Sequence, residues 1–78
     1  MSANQLVSAE LNSTTLARVS YQGGSAMLEL EFRDGSVYHY AEVPPALHQD
    51  LLQAEPPGLY FNRWIRGRFP HLQVRPPR

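Results

Sequence analysis

Three arginines near the C-terminus have the spacing and the neighbours that suit phosphate recognition. Arg63 and Arg66 are three residues apart, so a helix would place them on one side, and Arg68 follows two residues later. Trp64 and Phe69 interleave aromatic rings with these cations. Guanidinium groups bind phosphate oxygens by paired hydrogen bonds, and aromatic rings stack on unpaired bases. The pattern predicts contacts with RNA or with another anionic partner.

The charges of the whole chain are divided in the same direction. Residues 58–78 contain five arginines and no acid, whereas residues 1–57 contain two arginines and seven acids. A cluster of one sign attracts anions. The competing interpretation is that the arginines pair, inside the chain or across an interface, with Glu29, Glu31 or Glu42.

The aromatic residues Tyr38 and Tyr40 are the second candidate for contacts with RNA. They alternate with His39, so a strand would place both rings on one face. Exposed rings on a strand form a stacking surface for bases, and Trp64 is a third candidate for that role. The alternative is that the tyrosines belong to the core and that His39 lies beside glutamates on the opposite face.

The helix that carries the arginines also needs residues for packing. Phe61, Trp64 and Ile65 form its predicted apolar stripe. Asn62 is predicted to make a structural hydrogen bond rather than to bind a ligand.

Catalytic and metal-binding patterns do not occur in the sequence. It has no cysteine, its three histidines are far apart, and no serine lies in a Gly-x-Ser-x-Gly context. Gly23-Gly24 lacks the lysine and the helix of a phosphate-binding loop. We therefore predict neither an enzyme nor a cofactor, metal or small-molecule substrate. The N-terminus lacks the pattern of a signal peptide, and no apolar run could span a membrane, so we expect a cytoplasmic protein.

Hydrophobic periodicity predicts three strands and two helices. Alternation indicates strands near residues 16–21, 28–33 and 36–41, with glycine-containing turns between them. For the second turn, a three-residue loop with Gly35 in the left-handed position sets Leu30 opposite Tyr38 and Leu28 opposite Tyr40. This register is favoured because it buries both tyrosines, whereas a two-residue turn would put them beside the glutamates.

Prolines delimit the helices. Pro44-Pro45 starts a helix over residues 46–55, Pro56-Pro57 ends it, and a second helix covers residues 59–66 before Gly67. The predicted fold is a two-layer α+β domain, in which a three-stranded antiparallel meander is followed by two short helices packed on one face. Its predicted bounds are residues 13–74, between a loose lead-in of residues 1–12 and a frayed end of residues 75–78.

Two motifs resemble those of the KTSC family. Residues 28–44 read Leu-x-Leu-x-Phe-Arg-x-Gly-x-Val-Tyr-x-Tyr-x-x-Val-Pro, and residues 58–67 read Gly-x-Tyr-Phe-Asn-x-x-Ile-Arg-Gly. The resemblance covers about residues 13–72. This family is named for the C-terminal domain of some lysyl-tRNA synthetases and also occurs as small bacterial proteins. It implies an accessory module without enzyme activity, with an RNA-binding role suggested by the fusion to a synthetase.

Two functions therefore remain open. The first is a non-catalytic module that binds RNA or another anion through Arg63, Arg66 and Arg68. The second is a protein-interaction domain, or a homodimer, that uses charge complementarity or an exposed face or edge of the sheet.

Overall fold

The computed structural model describes residues 6–78, which form a five-stranded antiparallel sheet and two helices. The strands follow one another across the sheet in chain order. The elements are β1 (Leu6–Glu10), β2 (Leu16–Gln22), β3 (Met27–Phe32), β4 (Val37–Tyr40), α1 (Pro45–Gln53), α2 (Pro57–Trp64) and β5 (His71–Arg75). The α+β class is confirmed, and the predicted meander corresponds to β2, β3 and β4.

The β3–β4 hairpin has the register that burial favoured. Leu28 lies opposite Tyr40 and Leu30 lies opposite Tyr38. The amide of Gly35 donates to the carbonyl oxygen of Phe32 at 2.9 Å, and Gly35 has a φ of 93°. Glycine adopts this left-handed conformation without the steric cost of a Cβ atom. The loop therefore has the three-residue geometry that the sequence predicted.

The predicted number of strands was wrong, because a further strand pairs at each edge of the meander. Strand β1 lies within the expected lead-in and pairs with β2, while residues 1–5 lie outside the described part of the chain. Strand β5 returns to pair with β4 and ends at Arg75. The backbone N–H of Arg78, in the segment expected to fray, donates to the carbonyl oxygen of Asp34 at 2.8 Å. Most side chains of both edge strands are exposed, so main-chain pairing holds them to the sheet.

Both helices begin at a proline, which the sequence predicted for α1, whereas α2 begins two residues before the predicted start at Leu59. Pro45 and Pro57 occupy the first helical position, where the missing N–H would have had no partner in the helix. Each helix ends about two residues earlier than predicted. After α2 the chain turns through Gly67, which has a φ of 74°.

One face of the sheet and the two helices enclose the core. Its fully buried side chains are Leu16, Val19, Leu28, Leu30, Val43, Leu51 and Ile65. His48 of α1 is also buried and stacks on Tyr21, with ring centroids 4.6 Å apart and planes inclined by 14°. Burial lowers the pKa of His48 because the charged imidazolium would lose its hydration.

Candidate nucleic-acid interface

The buried face of α2 determines which of its side chains reach solvent. Phe61 is 4% exposed and Ile65 is fully buried. A Cβ atom on Gly58 would lie 3.3 Å from Oγ1 of Thr15, so the helix starts close to the β1–β2 loop. Trp64, in contrast, is 45% exposed. Its predicted place in the apolar stripe was therefore wrong, because the stripe follows residues 58, 61 and 65.

Trp64 lies between two guanidinium groups at the end of α2. The Cζ atoms of Arg63 and Arg68 lie 5.4 and 5.7 Å from the centroid of the indole ring, within the range of cation–π attraction. Nε of Arg68 also donates to the carbonyl oxygen of Arg63 at 2.9 Å. We call Arg63, Trp64 and Arg68 the tryptophan cluster. Arg63 therefore lies beside Arg68 in the structure, whereas the helical spacing had predicted that it would lie beside Arg66.

Arg66 extends instead towards a cleft between α2 and the sheet. Its Nη1 atom donates to Oδ1 of Asn62 at 3.3 Å. Both side chains line an open cleft of about 530 Å³, together with Tyr38, Tyr40 and His71. The hydrogen bond of Asn62 is thus to an arginine side chain at the mouth of a cleft. Sequence reasoning missed this cleft, because its walls come from segments far apart in the chain.

Aromatic rings form the sheet side of the cleft. The rings of Tyr38 and Tyr40 are 6.3 Å apart with planes inclined by 27°, and Tyr40 lies 5.6 Å from the His71 ring. Phe61 packs edge-on against Tyr40 at 5.8 Å. Tyr40 is 4% exposed, whereas Tyr38 is half-buried and His71 is exposed. The pair thus divides between the core and the cleft surface.

The environment of Tyr40 keeps its phenol protonated at neutral pH. Burial raises the pKa of Tyr40, and the neighbouring Tyr38 raises it further. The positive charge of Arg66 acts in the opposite direction but does not outweigh the burial.

Two of the three acids proposed as partners of the arginines are engaged elsewhere. Glu29 Oε1 lies 2.8 Å from Nε2 of His39, and Glu31 lies 3.2 Å from Nη2 of Arg75 and 3.9 Å from Nε of Arg18. Glu42 is exposed, between β4 and α1. Within residues 6–78, no acid lies within ion-pairing distance of Arg63, Arg66 or Arg68. These three charges remain available to a partner.

Two other kinds of site are not found in the described part of the chain. Residues 6–78 contain no group of three or more histidine, cysteine and acidic side chains that could hold a metal ion. Over the same residues, no helix has the length and apolar character needed to cross a membrane.

The sequence and the fold both match known proteins. Residues 12–69 match the family model of the KTSC domain. The chain belongs to the KTSC domain family. The crystal structure of a KTSC domain protein from Yersinia pestis is similar with a TM-score of 0.85 at 27% identity, covering 90% of this chain and 99% of that one.

KTSC relatives occur in proteins of two sizes. A lysine–tRNA ligase of Nostoc punctiforme is 38% identical over 61 residues, which are 78% of this chain and 11% of the ligase. This chain therefore spans only a small part of the ligase. An uncharacterised protein of Stutzerimonas stutzeri is 40% identical over 53 residues, which are 68% of this chain and 75% of that protein. The KTSC domain is thus a small module, either within a larger enzyme or as most of a short protein.

The two sequence motifs meet at the cleft. Tyr38 and Tyr40 of the first motif face Asn62, Arg66 and Gly67 of the second across it. Both motifs lie within the residues that match the family model.

Proposed function

We propose that this KTSC domain is a non-catalytic accessory module that binds RNA through Arg63, Arg66 and Arg68, with Trp64 stacking on a base. The observation that carries the proposal is the combination of three guanidinium groups without an acidic partner in residues 6–78 and a 45% exposed indole between two of them. A surface of this kind suits a single-stranded nucleic acid, because the cations contact phosphate and the ring accepts a base.

The similarity to part of a lysine–tRNA ligase supports RNA as the anion. A lysine–tRNA ligase has tRNA as a substrate, and a cationic module within it could add contacts to that RNA. The fusion is evidence of context and does not itself fix the function of this chain.

A salt titration tests this proposal. Binding of a fluorescently labelled single-stranded RNA is followed by anisotropy at about 50 and 200 mM salt. Three phosphate contacts at about −0.7 each give a slope of about −2 for log affinity against log salt, so affinity should fall about 20-fold across this range. The proposal fails if no binding is seen at 50 mM salt.

Single arginine substitutions show where the contacts lie. Arg66→Gln or Arg68→Gln should each weaken binding about eightfold at 50 mM salt and lower the slope by about 0.7. Arg18→Gln is the matched control, since it removes the same charge from the other face of the sheet, where Arg18 lies 3.4 Å from Glu10. If all three variants lost the same RNA affinity, the loss would be due to net charge alone. That result would contradict the assignment of the contacts to Arg66 and Arg68.

The edges of the sheet support self-association as a second candidate function. Leu6 and Val7 of β1 are 55% and 50% exposed, and Leu72 and Val74 of β5 are 66% and 45% exposed. Edge strands with exposed apolar side chains pair readily with another strand. Molar mass measured by light scattering at several ionic strengths distinguishes edge pairing from association by charge complementarity. An edge-paired dimer should persist at high salt, whereas a dimer built on charge complementarity should dissociate.

A further inference from the structure

The cleft between α2 and the sheet has the size and the lining of a site for a small ligand. Its volume of about 530 Å³ lies within the range of about 300–1,000 Å³ typical of ligand pockets. The strand β4 and the β3–β4 turn form one side, and the end of α2 forms the other. The tryptophan cluster does not line it, so the cleft is a separate feature of the surface.

Tyr38 and His71 provide an aromatic surface that is already held in place. The Tyr38 ring packs edge-on against Phe32 at 5.6 Å, and its hydroxyl oxygen accepts a hydrogen bond from Nε2 of Gln73 at 3.1 Å. The His71 ring lies 6.2 Å from that of Tyr38. Stacking of a base here would cost little conformational entropy, because the side chains are already ordered.

Two charged groups of opposite sign also line the cleft. Arg66 uses one N–H for Asn62, which leaves most of its five donors for a phosphate. Asp34 Oδ1 accepts hydrogen bonds from the N–H and the hydroxyl of Ser36, at 2.9 and 2.6 Å. Those bonds lower the pKa of Asp34, with a smaller contribution from the positive charge of Arg78. The carboxylate is therefore ionised at neutral pH.

We infer that the cleft binds one unstacked nucleotide of a single RNA strand. Arg66 contacts its phosphate, Tyr38 and His71 stack on its base, and Asp34 accepts hydrogen bonds from the edge of the base. A carboxylate favours a base that presents adjacent N–H donors, which guanine does, over uracil, whose single N–H lies between two carbonyl oxygens. This inference rests on the proposed RNA binding and adds a site with a preferred base.

Three RNA hexamers test the inference on the complete chain. One is all uridine, the second has a single guanine at a central position, and the third has an abasic nucleotide there. The guanine hexamer should bind tightest and the abasic one weakest. The stacking contribution alone should separate these two by about 5- to 150-fold. Equal affinities of the three hexamers would overturn the inference.

Variants then assign the discrimination to the cleft. Tyr38→Leu should reduce the difference between the guanine and abasic hexamers, because one of the two stacking rings is lost, while Tyr38→Phe, which keeps the ring, should retain it. Asp34→Asn should equalise guanine and uridine, because asparagine can still accept the hydrogen bonds of Ser36. If Tyr38→Leu does not fold, His71→Ala at an exposed position decides the point. A guanine preference that survives both Asp34→Asn and His71→Ala would place the site elsewhere.

The experiment separates failure of the site from failure of the proposed function. No binding of any hexamer at about 50 mM salt would reject RNA binding and the cleft site together. Salt-dependent binding that is the same for the three hexamers and unchanged in Tyr38→Leu would keep the arginine surface and reject the cleft site.

Discussion

Arginines lie on the outer face of the sheet, opposite the helices, and at the end of α2. Within residues 6–78, those on the outer face have acidic partners and those at the end of α2 have none. On the outer face, Arg18 lies 3.4 Å from Glu10 and Arg75 lies 3.2 Å from Glu31, so the charges form a chain across the strands. At the end of α2, the guanidinium groups of Arg63 and Arg68 instead lie near the Trp64 ring, and Arg66 reaches an amide.

The difference follows from the sequence through the geometry of each element. Antiparallel pairing puts Glu10 opposite Arg18 and Arg18 opposite Glu31, so alternating charges meet on one face. A helix pairs charges three or four residues apart, and residues 58–78 contain no acid at all. The arginines near the end of α2 therefore have no acidic partner within residues 6–78. Pairing within the chain, rather than the number of arginines, distinguishes the two surfaces.

The strongest test compares two aromatic residues of α2. Phe61→Ala should cost about 3–5 kcal/mol of unfolding free energy, because Phe61 is buried against Phe32 and Tyr40. Trp64→Ala should cost about 1–2 kcal/mol, less than Phe61→Ala, because it removes two exposed cation–π contacts at about 0.5–1 kcal/mol each. It should also weaken RNA binding by about 5- to 150-fold through loss of stacking.

Urea unfolding and RNA anisotropy measure the two effects separately. A loss of stability in Trp64→Ala as large as that in Phe61→Ala would mean that Trp64 is a packing residue after all. Unchanged RNA affinity would remove the tryptophan cluster from the interface.

A second test gives α2 the counter-charge that it lacks. Leu59 is 66% exposed and lies four residues before Arg63. Leu59→Glu should form an i,i+4 pair with Arg63, which stabilises helices by about 0.2–0.5 kcal/mol. The same pairing should weaken RNA binding by about 1.4- to 2.3-fold, because RNA must displace a pair of that free energy to contact Arg63.

Leu59→Gln is the matched control, since it has the same shape without the charge. The glutamine variant should bind RNA like the wild type. If Leu59→Glu also binds like the wild type, Arg63 does not contact RNA.

Features that depend on neighbours in the sequence could be predicted, whereas features that depend on residues far apart in the chain were missed. The β3–β4 register follows from one local glycine turn and from burial of Tyr38 and Tyr40, so it could be derived. Leu72 and Val74 alternate with polar residues, which indicates an extended segment over residues 71–74. The pairing of β5 with β4, more than 30 residues away, could not be derived because all side chains of β5 are exposed and no burial selects the pairing. Trp64 was misplaced because a helical stripe through residues 61, 64 and 65 looks as apolar as the true one through 58, 61 and 65.

Stability should depend on pH because the core that supports both surfaces contains a buried histidine, His48. Burial lowers the pKa of His48 below its ordinary value of 6.5, so the unfolded chain binds more protons than the folded one in the interval below 6.5. Stability should therefore decline as the pH falls through that interval. Urea unfolding between about pH 5 and 8 measures this. His48→Leu should flatten the dependence and His71→Ala should not, and a profile unaffected by His48→Leu would contradict the assignment.

A small effect is also expected where charges are already paired. Glu31→Gln removes an acid that contacts both Arg75 and Arg18, at 3.2 and 3.9 Å. Exposed pairs contribute about 0.2–1 kcal/mol, so the unfolding free energy should fall by no more than about 1 kcal/mol, and by less at high salt. A full phosphate contact raises RNA affinity by a factor of about eight. The freed arginines should give less than this factor, because no aromatic ring within residues 6–78 lies in cation–π range of them as Trp64 does for Arg63 and Arg68. An increase of eightfold or more would show that pairing alone decides which face binds RNA, and that the aromatic surface at α2 adds nothing to the choice.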